Sequence, residues 1–173
     1  MIGALRLADI VQWSARDPRF GGWSDMRWAP DGSLLAISDR GYWLTMRDGV
    51  WTLGVLRDEN AAPLRRKEDA DAEGLALFPD GVAAVSFEGR HRIDLFGVRQ
   101  GGHAAPARTG PSLSGLASLG AKSGLEALAR APDGRLVAGA ESGEIWVIDP
   151  AAPAPTPVKT KLDHPFGWGL TAF

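Results

Sequence analysis

Short apolar runs of about five residues, separated by Gly, Asp and Pro, dominate this chain, and they recur with a period near fifty. Aligned on Pro-Asp-Gly, three copies read Ser24 to Asp39, Glu73 to Glu88 and Glu126 to Glu141, with Pro30, Pro79 and Pro132 spaced by 49 and 53 positions. Each copy predicts a strand, a tight turn and a second strand. The first gives a strand to Trp28, then Leu34 to Ser38, Tyr42 to Met46 and Val50 to Leu56. The second adds Val82 to Phe87 and His91 to Phe96. The third supplies Leu125 to Ala131, Leu136 to Ala140 and Glu144 to Ile148. Runs of this length, bounded by turn residues, are strands rather than helices. Repeats of 40 to 50 residues holding three or four strands are the pattern of a β-propeller, one blade per repeat.

The fold class expected is therefore all-β, a partial propeller of about three four-stranded blades. Trp168 to Phe173 reads as the first strand of a fourth, like Glu73 to Phe78. One domain covers 1–173, with blades at about 20–60, 70–110 and 122–160 and the start of the next at 166–173. Because propellers use roughly four to eight blades, the chain reads as a truncated propeller, and self-association through its open blade edges is expected. Arg57 to Asp71 reads as a solvated loop of self-neutralising charge. Gly97 to Gly124 is a long loop, and Pro150 to Pro157 an extended spacer.

Composition narrows the function. Nineteen basic against 21 acidic residues give no footprint for nucleic acid or an anionic membrane surface. No stretch approaches the roughly 18 apolar residues of a membrane span, and Met1 to Ile10 is not a signal peptide. With no cysteine, thiolate chemistry is excluded. Ser24, Ser38 and Ser86 lie in no nucleophile elbow, and there is no P-loop or dinucleotide fingerprint. The seven tryptophans read mostly as packing between blades, with stacking on a ligand the alternative for Trp23 and Trp168 near the rim.

Chemistry gathers where the hairpins begin and end. If Asp-Gly is a two-residue turn, Glu73 faces Glu88, Glu126 faces Glu141 and Ser24 faces Asp39. If Pro-Asp-Gly is a type I turn with a glycine bulge, the register shifts by one. Either way Asp39, Glu73, Glu88, Glu126 and Glu141 converge on one rim. Such a ring needs protons, basic partners or hard cations, and oxygen ligands select calcium over zinc. The competing reading is that these acids cap strand ends or pair with Arg40, Arg90 and Arg92. Arg40 and Arg90 on the same rim suit an anionic substrate. His91 is either a general base or a packed strand residue; His103 and His164 carry no assigned role.

Five segments extend the picture: Phe20-Gly-Gly-Trp-Ser24, Ser38-Asp-Arg-Gly41, Asp71-Ala-Glu-Gly-Leu75, Ser86-Phe-Glu-Gly-Arg-His-Arg-Ile93 and Gly124-Leu-Glu-Ala-Leu128. Together they resemble the family described as esterase-like activity of phytase, or phytase-like domain proteins. The resemblance implies a propeller and calcium-assisted hydrolysis of phosphate esters, with a small anionic ester as substrate. It also implies longer, exported members, periplasmic or extracellular. Lys122 stands where the family's polar Asn is expected. Non-catalytic interaction modules and calcium-dependent lactonases are the alternative expectations.

Overall fold

Three antiparallel meanders follow one another along the chain. In this computed structural model, which describes residues 9–99, 103–113, 119, 124–150 and 158–161, the first is β1 (Trp23–Trp28), β2 (Leu34–Ser38), β3 (Tyr42–Arg47) and β4 (Val50–Val55). The second is β5 (Ala72–Leu77), β6 (Val82–Phe87) and β7 (Arg92–Arg99), whose outer edge is shared by the short β8 (His103–Ala104) and β9 (Arg108–Thr109). The third is β10 (Leu125–Arg130), β11 (Leu136–Ala140), β12 (Glu144–Ile148) and β13 (Val158–Lys161). A single helical turn, α1 (Lys67–Ala70), precedes β5. The strand before it, and the sheets themselves, make the chain nearly all β. The segment Trp168 to Phe173 lies outside the described residues, as do Lys122 and most of the Pro-rich spacer.

The Pro-Asp-Gly turns settle the register. Ala29, Phe78 and Ala131 each donate from the amide to the carbonyl of Ser33, Val82 and Arg135, at 2.8 Å in every case. Gly32, Gly81 and Gly134 sit at φ +82°, +82° and +93°, left-handed values that favour glycine. Asp31, Asp80 and Asp133 each accept the amide two residues on, at 3.0 to 3.1 Å. The turn aspartates are thus structural. This is the type I turn with a glycine bulge, so Glu73 does not face Glu88 directly.

Two apolar cores lie between successive sheets. Leu35, Ile37, Trp43 and Leu56 of the first pack on Leu75, Val85, Phe87 and Phe96 of the second. Ala76, Ala84 and Ile93 of the second pack on Leu125, Leu128, Leu136 and Trp146 of the third. Covered on both faces by the two cores, β6 reads as a nearly unbroken apolar run rather than an alternating one. The inner strands β1, β5 and β10 are neighbours, with β5 in the middle, as in propeller blades.

Trp43 and Trp146 fill these cores, but Trp28 is 68% and Trp51 39% exposed. Among the described residues neither belongs to the two cores between sheets. Trp28, Leu34, Met46 and Trp51 are cross-strand partners in one row, on the face of the first sheet turned away from the second. Sheet alternation sends this row outward and Leu35 inward.

β5 and β10 approach closely at Gly74, where an added Cβ would lie 2.6 Å from the Leu128 amide nitrogen. Gly74→Ala should therefore force the second and third blades apart. Urea unfolding should show a loss of about 1–3 kcal/mol, the usual cost of overpacking, without loss of the cooperative transition.

Candidate metal centre

Each inner strand carries one extra residue near its start. The pairing of β1 with β2 shifts between Trp23 and Asp25, of β5 with β6 between Ala72 and Gly74, and of β10 with β11 between Leu125 and Ala127. The bulged residues are Ser24, Glu73 and Glu126. A bulge leaves its residue outside the ladder and re-aims the side chain. Just beyond β2, β6 and β11, the amides of Asp39, Glu88 and Glu141 donate to the carbonyls of Gly22, Asp71 and Gly124, at 3.1, 2.9 and 3.3 Å. All five predicted carboxylates thus lie at corresponding ends of the three hairpins.

A sixth joins them. Asp71 takes the place held by glycine at 22 and 124, and it is only 6% exposed. At those two positions a side chain would collide: a Cβ on Gly22 would lie 2.4 Å from Asp39 Oδ1, and one on Gly124 2.2 Å from Glu88 Cγ. Glu88 is therefore wedged against the third blade. Oxygens of Asp71, Glu73 and Glu88 all lie within 4.8 Å of one another. Sequence reading missed Asp71, although the repeat alignment exposes it as the one acid at a glycine position.

The electrostatics follow from this crowding. Burial, then the charges of Glu126 and Asp71, raise the Glu73 carboxyl to about 7; a hydrogen bond from Ser24 works against them and Glu88 adds to them. Burial, followed by Glu88, Glu141 and Asp71, raises Glu126 to about 7 as well. Asp39 Oδ1 is buried without a hydrogen-bond partner. Lys67 answers part of this charge: its Nζ pairs with Asp71 and lies 3.7 Å from Asp39 Oδ2. Asp71 chiefly, with Asp39 and Glu73, holds the Lys67 ammonium above its ordinary pKa.

The three arginines expected as partners of the acids have other partners. Arg40 donates to the carbonyls of Pro18, Arg19 and Gly21, at 3.3, 3.2 and 2.9 Å. Arg90 Nε pairs with Asp69 at 3.0 Å. Arg92 pairs with Asp94 at 2.7 Å and lies over the Phe87 ring. Among the described residues the ring acids pair with none of these three, and Lys67 is their ion-pair partner. His91 belongs to the turn before β7 rather than to a strand. Its Nδ1 is buried and without a partner. Trp23 packs edge-on against Phe20, at 5.4 Å between centroids. His164 and Trp168 lie outside the described residues, as does the side chain of His103.

Three carboxylates with oxygens within 4.8 Å of one another, an orphaned Asp39 oxygen, and two carboxyls raised by burial and neighbouring charge fit a hard divalent cation. The sequence model for phytase-like proteins, described as esterase-like activity of phytase, matches residues 18–161. The chain belongs to this family. The match begins just before the Phe20-Gly-Gly-Trp segment and ends with β13, so it takes in every residue of the phytase-like acid rim.

Among solved structures, a luciferin-regenerating enzyme is similar to this phytase-like chain, with a TM-score of 0.63 at 16% identity over 91% of this chain and 51% of its own. U3-55K is similar with a TM-score of 0.57 at 12% identity, over 87% of this chain and 42% of its own. The likeness shows a β-propeller fold. The chain spans about half the length of these structures. No curated protein sequence matches it.

The raised carboxyls set a pH dependence. Between about 4.5 and about 7, folded Glu73 and Glu126 hold protons that the unfolded chain releases, so stability falls as pH rises through that window. Asp31 and Asp133, lowered by Ser33 and Arg135, act with the opposite sign, and only below the ordinary carboxylate range. In EDTA, melting temperature should fall between pH 5 and pH 8. Glu73→Gln should flatten that fall, and a pH-independent wild type would contradict the geometry.

Proposed function

We propose that this phytase-like chain binds calcium at the acid rim and belongs to a hydrolase of phosphate or related esters. The observation that carries the reading is the convergence of acids from three hairpins on one rim, two of them raised to about 7 by burial and mutual repulsion. Membership of the phytase-like family supports the same direction. Asp71, Glu73 and Glu88 would hold the cation, with Asp39, Glu126 and Glu141 completing the negative field. Bound calcium supplies positive charge to an ester's oxygens and lowers the pKa of water.

The chain's own residues would do the rest. Arg40 and Arg90 orient the anionic ester at the rim, and Arg40 also holds the 18–21 loop in place through its three carbonyl contacts. The buried, unpartnered Nδ1 of His91 is a group that could move a proton. The second reading is a non-catalytic calcium-binding propeller module. It is favoured by the same contacts, because Arg40 and Arg90 already have protein partners.

Calorimetric titration with calcium should show binding by the wild type. Glu73→Gln/Glu126→Gln should weaken it by about 100-fold or more, because ligand charge sets calcium affinity. No binding by the wild type would sink the proposal. Calcium-dependent release of phosphate from 4-nitrophenyl phosphate supports the hydrolase. Binding without turnover supports the module, and preferential opening of lactones would redirect the substrate class.

A further inference from the structure

Lys67 is delivered to the acid rim by a helix too short to stand alone. α1 has four residues, no side-chain N-cap bond, and Glu68 and Asp69 in its single turn; isolated turns of this length are unstable in water. Its position comes from both neighbouring blades. An added Cβ on Gly41, in the β2–β3 turn, would lie 2.9 Å from Ala70 Cβ. One on Gly89, in the β6–β7 turn, would lie 2.6 Å from Glu68 Cα. Arg92 donates to the Asp69 carbonyl at 2.7 Å, and Arg90 pairs with the Asp69 carboxylate.

So held, α1 points Lys67 between two blades. Its Nζ reaches Asp39 at the end of the first hairpin and Asp71 at the start of the second. Among the described residues, two nearby cations have other partners: Arg66 pairs with Glu68, and Arg90 with Asp69. Asp71 therefore belongs to two arrangements, the ion pair with Lys67 and the trio with Glu73 and Glu88. Its negative charge is already matched by the ammonium when a cation arrives. The lysine stem is largely exposed, at 65%, so it can swing into water while α1 stays docked.

We propose that Lys67 is a tethered counter-cation that bridges Asp39 and Asp71 in the metal-free protein and competes with the divalent cation for them. It thereby sets the affinity of the site. This rests on the calcium reading above, and it makes Lys67 a positioning and affinity-determining residue rather than a catalytic one.

Titration of the full chain with calcium chloride should compare wild type, Lys67→Met and Arg66→Met. The last removes an equal charge one residue away. Lys67→Met should bind calcium about five- to tenfold more tightly than wild type, and Arg66→Met within about twofold, as expected for an exposed pair. Equal affinity in all three overturns the proposal. Equal gains in both variants also overturn it, because a general field effect would then suffice. If neither wild type nor Lys67→Met binds calcium, the metal reading fails, and melting in EDTA at pH 8 decides the counter-cation role. Lys67→Met should then melt below Arg66→Met, and equal melting refutes the role.

Discussion

Blade-on-blade packing is the interaction on which the rest depends. Leu75 and Leu128 occupy the same position in successive inner strands, and each is fully buried in the core shared with the preceding blade. Such a side chain contributes about 1.5–3 kcal/mol on burial, and each interface holds many. Two carboxylates about 5 Å apart repel by about 3 kcal/mol at an effective dielectric of 20. The apolar interfaces therefore outweigh the repulsion they impose. Burial and this repulsion together raise Glu73 and Glu126 to about 7, and Lys67 is recruited to pair with Asp71.

The bulge is the local device that turns packing into a site. Without it, the pleat would carry Glu73 and Glu126 in step with the rest of β5 and β10. With one extra residue, the side chain leaves the ladder, while the strand below it still places Leu75 and Leu128 in the cores. Ser24 occupies the bulge of the first blade and hydrogen-bonds Glu73. The device is the same in all three blades, but one of them supplies a hydroxyl where the others supply charge.

Asp71 and Lys67 show how a connection between blades can matter as much as the blades. Arg57 to Asp71 read as a charged, solvated loop, and in part it is. Its end is different: α1 is clamped between two turns, Asp71 is buried, and Lys67 joins the first blade to the second. Mixed charge in a sequence looks neutral and uninformative. Its effect depends on which charges face the same cavity, which linear order does not reveal.

The sequence by itself determined the strands of each hairpin, the three blades, the turn type's two alternatives and the family, because repeated patterns and tight turns are local properties; the short β8 and β9 in the expected loop, and β13, were not read from it. Asp39, Glu73, Glu88, Glu126 and Glu141 were legible for the same reason, since hairpin ends meet whichever register holds. Asp71 was legible only against Gly22 and Gly124, and Lys67 not at all. The tertiary structure alone decided the bulges, the pairing of Arg40 and Arg90 with groups other than the ring acids, and the exposure of Trp28 and Trp51. Each depends on contacts between blades or between distant turns. Those energies arise from neighbours in space, and no window of sequence contains them.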